Sequence, residues 1–425
     1  MTISGIRNLV SRGYDNSVLR RSVILLSLMG PAFAINFALY YAAAAFLPPE
    51  GFGLFYIAVT TANVLYSGSF VLNIFFTRHL VSVVRTDGRS AAYAARGRIQ
   101  GVVLRWGALA AAAVILILSL VGKWIGIQSL AIVVLIVLDA FTAYIIDIDR
   151  AFLQSLRKTL PLGAITLIWM ALRFGLAVTG MALFGTTWGG LLGVVLAAVF
   201  VLILFKVFIS SSKSAPAQQL PALPSIRELV PVVFGYVSLI VVSNLDVLLT
   251  YLLLKDNALG AYSASSVFPK GILVVVTPLL QMLYPMMVGR SETPRDIRRV
   301  FQKSVGVVLA LSSVIAVGVF GFSGLLCGGT WGLKLCQPFP LELLLISAVT
   351  LSVLRALVLY QSARGRDWIA LSMLIPAAVY LWVALESSRD VATVAMEFAA
   401  FSGVLLLYYS GLTLLTERHR PDELG

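Results

Sequence analysis

The sequence predicts an all-α polytopic membrane protein, with about twelve transmembrane helices arranged as two six-helix lobes. Three observations carry this prediction. The 425 residues are 59% hydrophobic and only 12% charged, with a mean hydropathy of +0.95, where a soluble domain typically carries about twice that charge. Apolar stretches of crossing length recur along the whole chain. Basic residues concentrate in every second loop, as they do when a chain crosses a bilayer repeatedly.

The spans centre on roughly 22–46, 53–77, 102–122, 128–148, 160–184, 187–209, 229–254, 259–288, 302–325, 341–363, 367–385 and 391–415. The first follows Arg7, Arg12, Arg20 and Arg21 and is longer than the core of a signal peptide, so it is read as a span. Ahead of it, Ile6, Val10 and Tyr14 stand at helical spacing and predict a helix lying on the inner surface. Arginines and lysines then cluster after the second, fourth, sixth, eighth and tenth spans and at Arg418 and Arg420. The intervening loops hold only Lys123, Lys255, Lys334 and Arg389. Both termini are therefore expected in the cytoplasm, which requires an even number of spans. The formal charge of +13 is a topology signal, and no nucleic-acid partner is needed to explain it.

Between the sixth and seventh spans, Ser210 to Ser225 form a linker with Pro216, Pro221 and Pro224. It divides an N-terminal lobe, 1–209, from a C-terminal lobe, 229–425, with 210–228 as a cytoplasmic connection. Six spans on each side give both lobes the same orientation. Phe52, Gly53 and Phe55 open the second span much as Leu259, Gly260 and Tyr262 open the eighth, an offset of 260 − 53 = 207. That offset places Asn63 on Lys270 and Tyr56 on Ser263.

Lys270 lies within an apolar run, and Ser263, Ser266, Thr277, Gln281 and Tyr284 share its face at about 100° per residue. A charge at that depth costs several kcal/mol unless it meets water, protein or ligand, so the stripe reads as the wall of a hydrated cavity. Tyr56, Thr60, Asn63, Ser67 and Arg78 make a second stripe on the equivalent helix. Hydroxyls and amides that merely join helices are the other reading. Arg173 sits about 21 Å from its inner helix end, either lining the same cavity or paired with Asp139. Asn244 and Asp246 interrupt the seventh span, and an Asp246–Lys270 ion pair is geometrically open, whether structural or exchangeable. Arg355 is nearer the cytoplasm and is expected to snorkel.

Pro31, Pro269 and Pro278 are candidate kinks or hinges. Gly189 with Gly193, and Gly318, Gly321 and Gly324, read as helix-packing seams. Trp124, Trp188, Trp331 and Trp382 read as interfacial anchors. Cys327 and Cys336 share one outer loop, as a disulfide or as two free thiols. No phosphate loop, nucleophile elbow, metal cluster or other cofactor motif occurs, and His79 and His419 fall in inner loops. The short outer loops argue against an enzyme.

The run LPPEGFGLF, Leu47 to Phe55, resembles the first outer loop and second-span start of polysaccharide flippases of the multidrug/oligosaccharidyl-lipid/polysaccharide (MOP) exporter superfamily. Asn244, Leu245 and Asp246, then Leu259, Gly260, Ala261 and Tyr262, with Pro278 and Pro285, resemble the seventh and eighth spans of the same proteins. The resemblance implies a V-shaped bundle that alternates between inward-open and outward-open states. It implies a bacterial inner-membrane protein that carries undecaprenyl-diphosphate-linked oligosaccharide to the periplasmic leaflet past a cationic lumen. Lys270 and Arg173 match that lumen, while Asp246 matches an acidic position open to ion coupling. Lipid-linked glycan and membrane lipids are the implied partners, and polysaccharide polymerase or glycosyltransferases could act alongside. A multidrug exporter of the same superfamily and a non-transporting synthase scaffold are the alternatives.

Overall fold

The computed structural model describes residues 16–125, 129–156, 158–210, 226–288, 294–328, 335–364, 366, 368–387 and 390–418. The surface helix predicted around Ile6, most of the linker, Trp331 and His419 lie outside them. So do the side chains of Arg78, Trp124, Gln281 and Tyr284.

The first half of the chain forms α1 (Asn16–Phe46), α2 (Pro49–Thr86), α3 (Gly88–Ile125), α4 (Leu130–Ser155), α5 (Thr159–Phe184) and α6 (Thr187–Ser210). The second forms α7 (Ile226–Ser243), α8 (Leu245–Leu253), α9 (Asp256–Val288), α10 (Pro294–Gly321) and the short α11 (Ser323–Gly328). It ends with α12 (Pro338–Ala363), α13 (Trp368–Leu371), α14 (Leu374–Glu386) and α15 (Val391–Arg418). Among the described residues nine helices are long and apolar enough to cross a bilayer, or ten if the bent pair α7–α8 is one span. The predicted figure of twelve stands beside that count.

Local chemistry sets several boundaries. Pro49 opens α2 with its fixed φ and no orphaned N–H, and Glu50 meets the positive end of the helix dipole. Gly185 ends α5 in the left-handed region at φ 63° and returns its N–H to Met181 O. Asp390 starts α15 by accepting hydrogen bonds from the N–H groups of Ala392 and Thr393.

Large apolar side chains cover the outside, as at Leu109, Leu116, Val314 and Leu407, which are 62–75% exposed. Water would penalise such a surface, whereas acyl chains match it. With these helices, that surface makes the chain a multi-pass membrane protein. Trp188 and Trp382 are exposed as anchors would be.

Packing within the first half is tightest where α5 crosses α6: a Cβ on Gly180 would lie 2.1 Å from Gly189 O, and one on Gly193 would lie 2.2 Å from Leu176 O. Gly318, Gly321 and Gly324 instead have open space around them, so the second predicted seam does not exist in α10–α11. The Cys327–Cys336 disulfide is formed. Next to it, Ser265 Oγ accepts the Gln337 N–H and ties α9 to the start of α12.

The helix α2 packs on both halves. Near its start it meets α9, with Gly53 against Leu259 and Gly260 against Pro49. Halfway along, Gly68 meets Val233 and Val237 of α7. Farther on it is zipped to α4: Tyr144 Oη donates to Leu65 O, Ser69 Oγ to Asp147, Asn73 Nδ2 to Asp147 O, and Thr77 Oγ1 to Gln154. One apolar core runs from α1 and α2 into the second half, while another lies wholly within the first.

Candidate functional site

Two buried charge clusters lie about halfway along the helices, one in each half. In the second half the seventh span breaks between Ser243 and Leu245, with a bend of 46°. A break exposes carbonyls at the end of α7 and N–H groups at the start of α8. Asp246 occupies the first turn of α8, where the helix dipole favours its negative charge. Its Oδ1 accepts from Lys270 Nζ at 2.7 Å and its Oδ2 from Tyr262 Oη at 2.9 Å. Lys270 also donates to Ser243 O and stands 4.9 Å from the centre of the Phe398 ring. Asp246 is fully buried, whereas the Lys270 side chain keeps 15% exposure. Asn244 turns away, with Nδ2 donating to Ile240 O.

In the first half Arg173 pairs with Asp139 at 3.6 Å. Its Nε and Nη2 are buried without a hydrogen-bond partner, a costly state for a guanidinium. The predicted pairings of Lys270 and Arg173 with carboxylates are thus both present, and each closes within its own half. Between them, Tyr56 reaches Ser266 and stacks edge-on against Tyr40 at 5.4 Å. Thr60 and Ser67 are buried, Ser67 donating to Val64 O of its own helix, and Asn63 is half-buried. The cavity beside Lys270, Ser266, Ser347 and Phe398 holds about 10 Å³, room for about one water.

Arg355 does not snorkel. It is 7% exposed, and its Nη1 donates to Leu273 O at 3.2 Å and to Thr277 Oγ1 at 3.1 Å. Its Nε has no partner, and no carboxylate lies within ion-pair distance of it among the described residues. Predicted stripe residue Thr277 therefore serves a second buried cation, close enough to Lys270 to act on it electrostatically.

Sequence reasoning missed Asp147 and Asp149 on α4. Asp147 accepts from Ser69 and Arg150, and Arg150 lies 5.2 Å over the Trp169 ring. Asp149 accepts from Arg96 Nε at 2.6 Å and Gln100 Nε2 at 2.7 Å. The signal was present: Asp139 and Asp147 fall within the predicted span 128–148 and Asp149 stands just past its end. His79, expected in an inner loop, lies within α2 instead, and its Nε2 is buried without a hydrogen-bond partner.

No family model matches this sequence, and no curated protein matches it. Solved structures do. The Vibrio cholerae MATE transporter VcmN shares 17% identity, with a TM-score of 0.65 over 94% of this chain and 98% of that one. A MOP superfamily transporter from Pyrococcus furiosus, whose description gives it a binding pocket of reverse polarity that suggests a different function, shares 11% identity. Its TM-score is 0.63, over 92% of this chain and 93% of that one. An outward-facing multidrug resistance MATE transporter matches at 0.63, with 11% identity over 95% and 96% of the two chains. At these identities the likeness establishes architecture: the chain has the all-α membrane fold of MATE transporters.

Proposed function

We propose that the chain is an alternating-access transporter of the bacterial inner membrane that carries an anionic amphiphile. The cargo would be an undecaprenyl-diphosphate-linked oligosaccharide, delivered to the periplasmic leaflet. The single observation behind this reading is Arg355, a guanidinium at membrane depth whose described partners are a carbonyl and a hydroxyl. Keeping a cation in a low-dielectric interior with no carboxylate beside it among the described residues costs several kcal/mol. A scaffold gains nothing for that cost, whereas a carrier of anions does. Arg173, paired with Asp139 at 3.6 Å but with its Nε lacking a hydrogen-bond partner, supplies a second buried cation from the other half. Lys270, Asn63, Tyr56, Thr60 and Ser266 stand along the seam between them and would meet the sugars when it opens. The disulfide end suits an oxidising periplasm, with the termini in the cytoplasm, where glycosyltransferases would supply the cargo.

A second reading, export of cationic drugs, draws on Asp139 and Asp246, buried carboxylates for which a cationic passenger could compete with Arg173 and Lys270. The two readings separate in proteoliposomes holding a fluorescent polyprenyl-diphosphate glycan. The parent should exchange the lipid between leaflets, and Arg355→Gln should slow exchange at least about tenfold, the loss of a charge-assisted hydrogen bond worth ~1.5–3 kcal/mol. Exchange no faster than in empty vesicles would overturn the proposal. Export of a cationic dye in its place would favour the drug reading.

A further inference from the structure

We propose that the lipid-facing side of α3 carries a headgroup site for an acidic phospholipid of the inner leaflet. Arg105 and Arg98 hold its phosphate, and the exposed apolar face beyond them holds its acyl chains. The depth of these residues follows from helix length. The helix α3 runs 38 residues, Gly88–Ile125, about 57 Å at 1.5 Å per residue, whereas the hydrocarbon core takes only ~20 residues. Counted back from Lys123 at the outer end of α3, the inner boundary falls at about residue 103. Arg105 and Trp106 therefore stand at the inner edge of the acyl layer. Arg98 stands two turns closer to the cytoplasm, about 10.5 Å away along the axis.

The two arginines share one side of the helix. At about 100° per residue they lie roughly 20° apart, with Val102 and Leu109 close by on that face. Both arginines are exposed, and Val102, Trp106 and Leu109 are 39–69% exposed. Gly107, on the opposite face, packs against Phe141 of α4. A Cβ on Gly101 would meet nothing within 4 Å, so the surface between the arginines is open. The carboxylate of the neighbouring helix is already engaged: Asp149 of α4 is 1% exposed and accepts from Arg96 and Gln100. Arg105 has no carboxylate within ion-pair distance among the described residues. A guanidinium matches a phosphodiester with two parallel hydrogen bonds, and an indole such as Trp106 settles at headgroup level. A zwitterionic headgroup would bring its ammonium against the second arginine, so a net negative lipid is favoured. Assignment to the inner leaflet rests on the proposed topology, but the lipid preference does not. No residue of the candidate cargo path takes part, so the site can fail while the transport reading stands.

The test is quenching of Trp106 fluorescence in nanodiscs holding the purified full chain. Phosphatidylglycerol or phosphatidylcholine with brominated acyl chains is the minor component in plain phosphatidylcholine. The Trp106 signal is the difference between each protein and the same protein carrying Trp106→Phe. Brominated phosphatidylglycerol should quench Trp106 as though enriched there about 25-fold over brominated phosphatidylcholine, about fivefold for each arginine near the surface. Arg105→Gln should reduce that enrichment to about fivefold, and the Arg98→Gln/Arg105→Gln double variant should remove it. Arg85 is also exposed, but it stands by the turn at Gly88, about 25 Å along α3 from Arg105 and beyond a Debye length. Arg85→Gln should therefore leave the enrichment unchanged. Equal quenching by the two lipids in the parent would overturn the proposal. So would equal losses in Arg85→Gln and Arg105→Gln, the mark of a diffuse surface charge. Displacement of phosphatidylglycerol by polyprenyl diphosphate at a far lower level would also overturn it, by assigning the site to a lipid diphosphate.

Discussion

Replacing Gly260 by alanine should loosen the contact between the two halves where α2 and α9 begin, without unfolding either half. A Cβ there would lie 2.6 Å from the carbonyl oxygen of Pro49 and 3.0 Å from its carbon, against an ordinary contact of 3.4 Å or more. The obstacle is backbone, so no rotamer relieves it. The helices must separate by 3.4 − 2.6, or about 0.8 Å. Overpacking of this size costs ~1–3 kcal/mol, a shift of about 5- to 150-fold against the closed arrangement. Gly53→Ala should cost less, because its Cβ would meet the movable Leu259 side chain. Hydrogen exchange read by mass spectrometry is the direct assay. The first turns of α2 and α9 should exchange faster in Gly260→Ala, while the α5–α6 crossing keeps its protection. Unchanged exchange at both helix starts would refute the reasoning.

Gly193→Ala is the internal contrast: its Cβ would strike Leu176 O at 2.2 Å inside one half, so the thermal midpoint should fall and protection of α5 and α6 should drop together. Asp246→Ala should cost ~3–5 kcal/mol, because it strands the Lys270 ammonium beside a carbonyl. A double-mutant cycle with Lys270→Met should show coupling, and strictly additive midpoints would contradict the pair. At the start of α15, hydrogen bonds from the Thr393 side chain and then its N–H hold the Asp390 carboxyl below the usual carboxylate range. A depressed carboxyl stabilises the helix above its ordinary value of about 3.9, and the effect is lost as pH falls through the lowered value. Protection of the first α15 amides should show that acid step, and Asp390→Ala should abolish it.

Much of this was legible in the sequence because depth in a membrane is written as hydropathy. Spans such as 160–184 and 187–209 fall on α5 and α6. Helical periodicity also placed Ser266, Lys270 and Thr277 on one face of α9. What periodicity cannot supply is the neighbour across that face. The Lys270 stripe meets three elements: Tyr56 of α2, Asp246 of α8 and Arg355 of α12. Arg355 misled because its distance from the helix end permits snorkelling, and only the packing of α9 beside α12 gives it acceptors in the interior. Asp147 and Asp149 escaped notice because their partners come from α2 and α3. The glycines of α10–α11 have the spacing of a packing seam but no facing helix.

The most direct test of the central claim, that buried cations of this fold receive an anionic passenger, is equilibrium binding of a short-chain polyprenyl diphosphate to the purified full chain. The parent, Arg355→Gln and Arg173→Gln should be measured side by side with a cationic amphiphile of equal chain length. The account predicts that the parent prefers the diphosphate and that Arg355→Gln weakens it by at least about tenfold, as loss of a charge-assisted contact should. Tighter binding of the cationic amphiphile by the parent, with Arg355→Gln indistinguishable from it toward the diphosphate, would contradict the account.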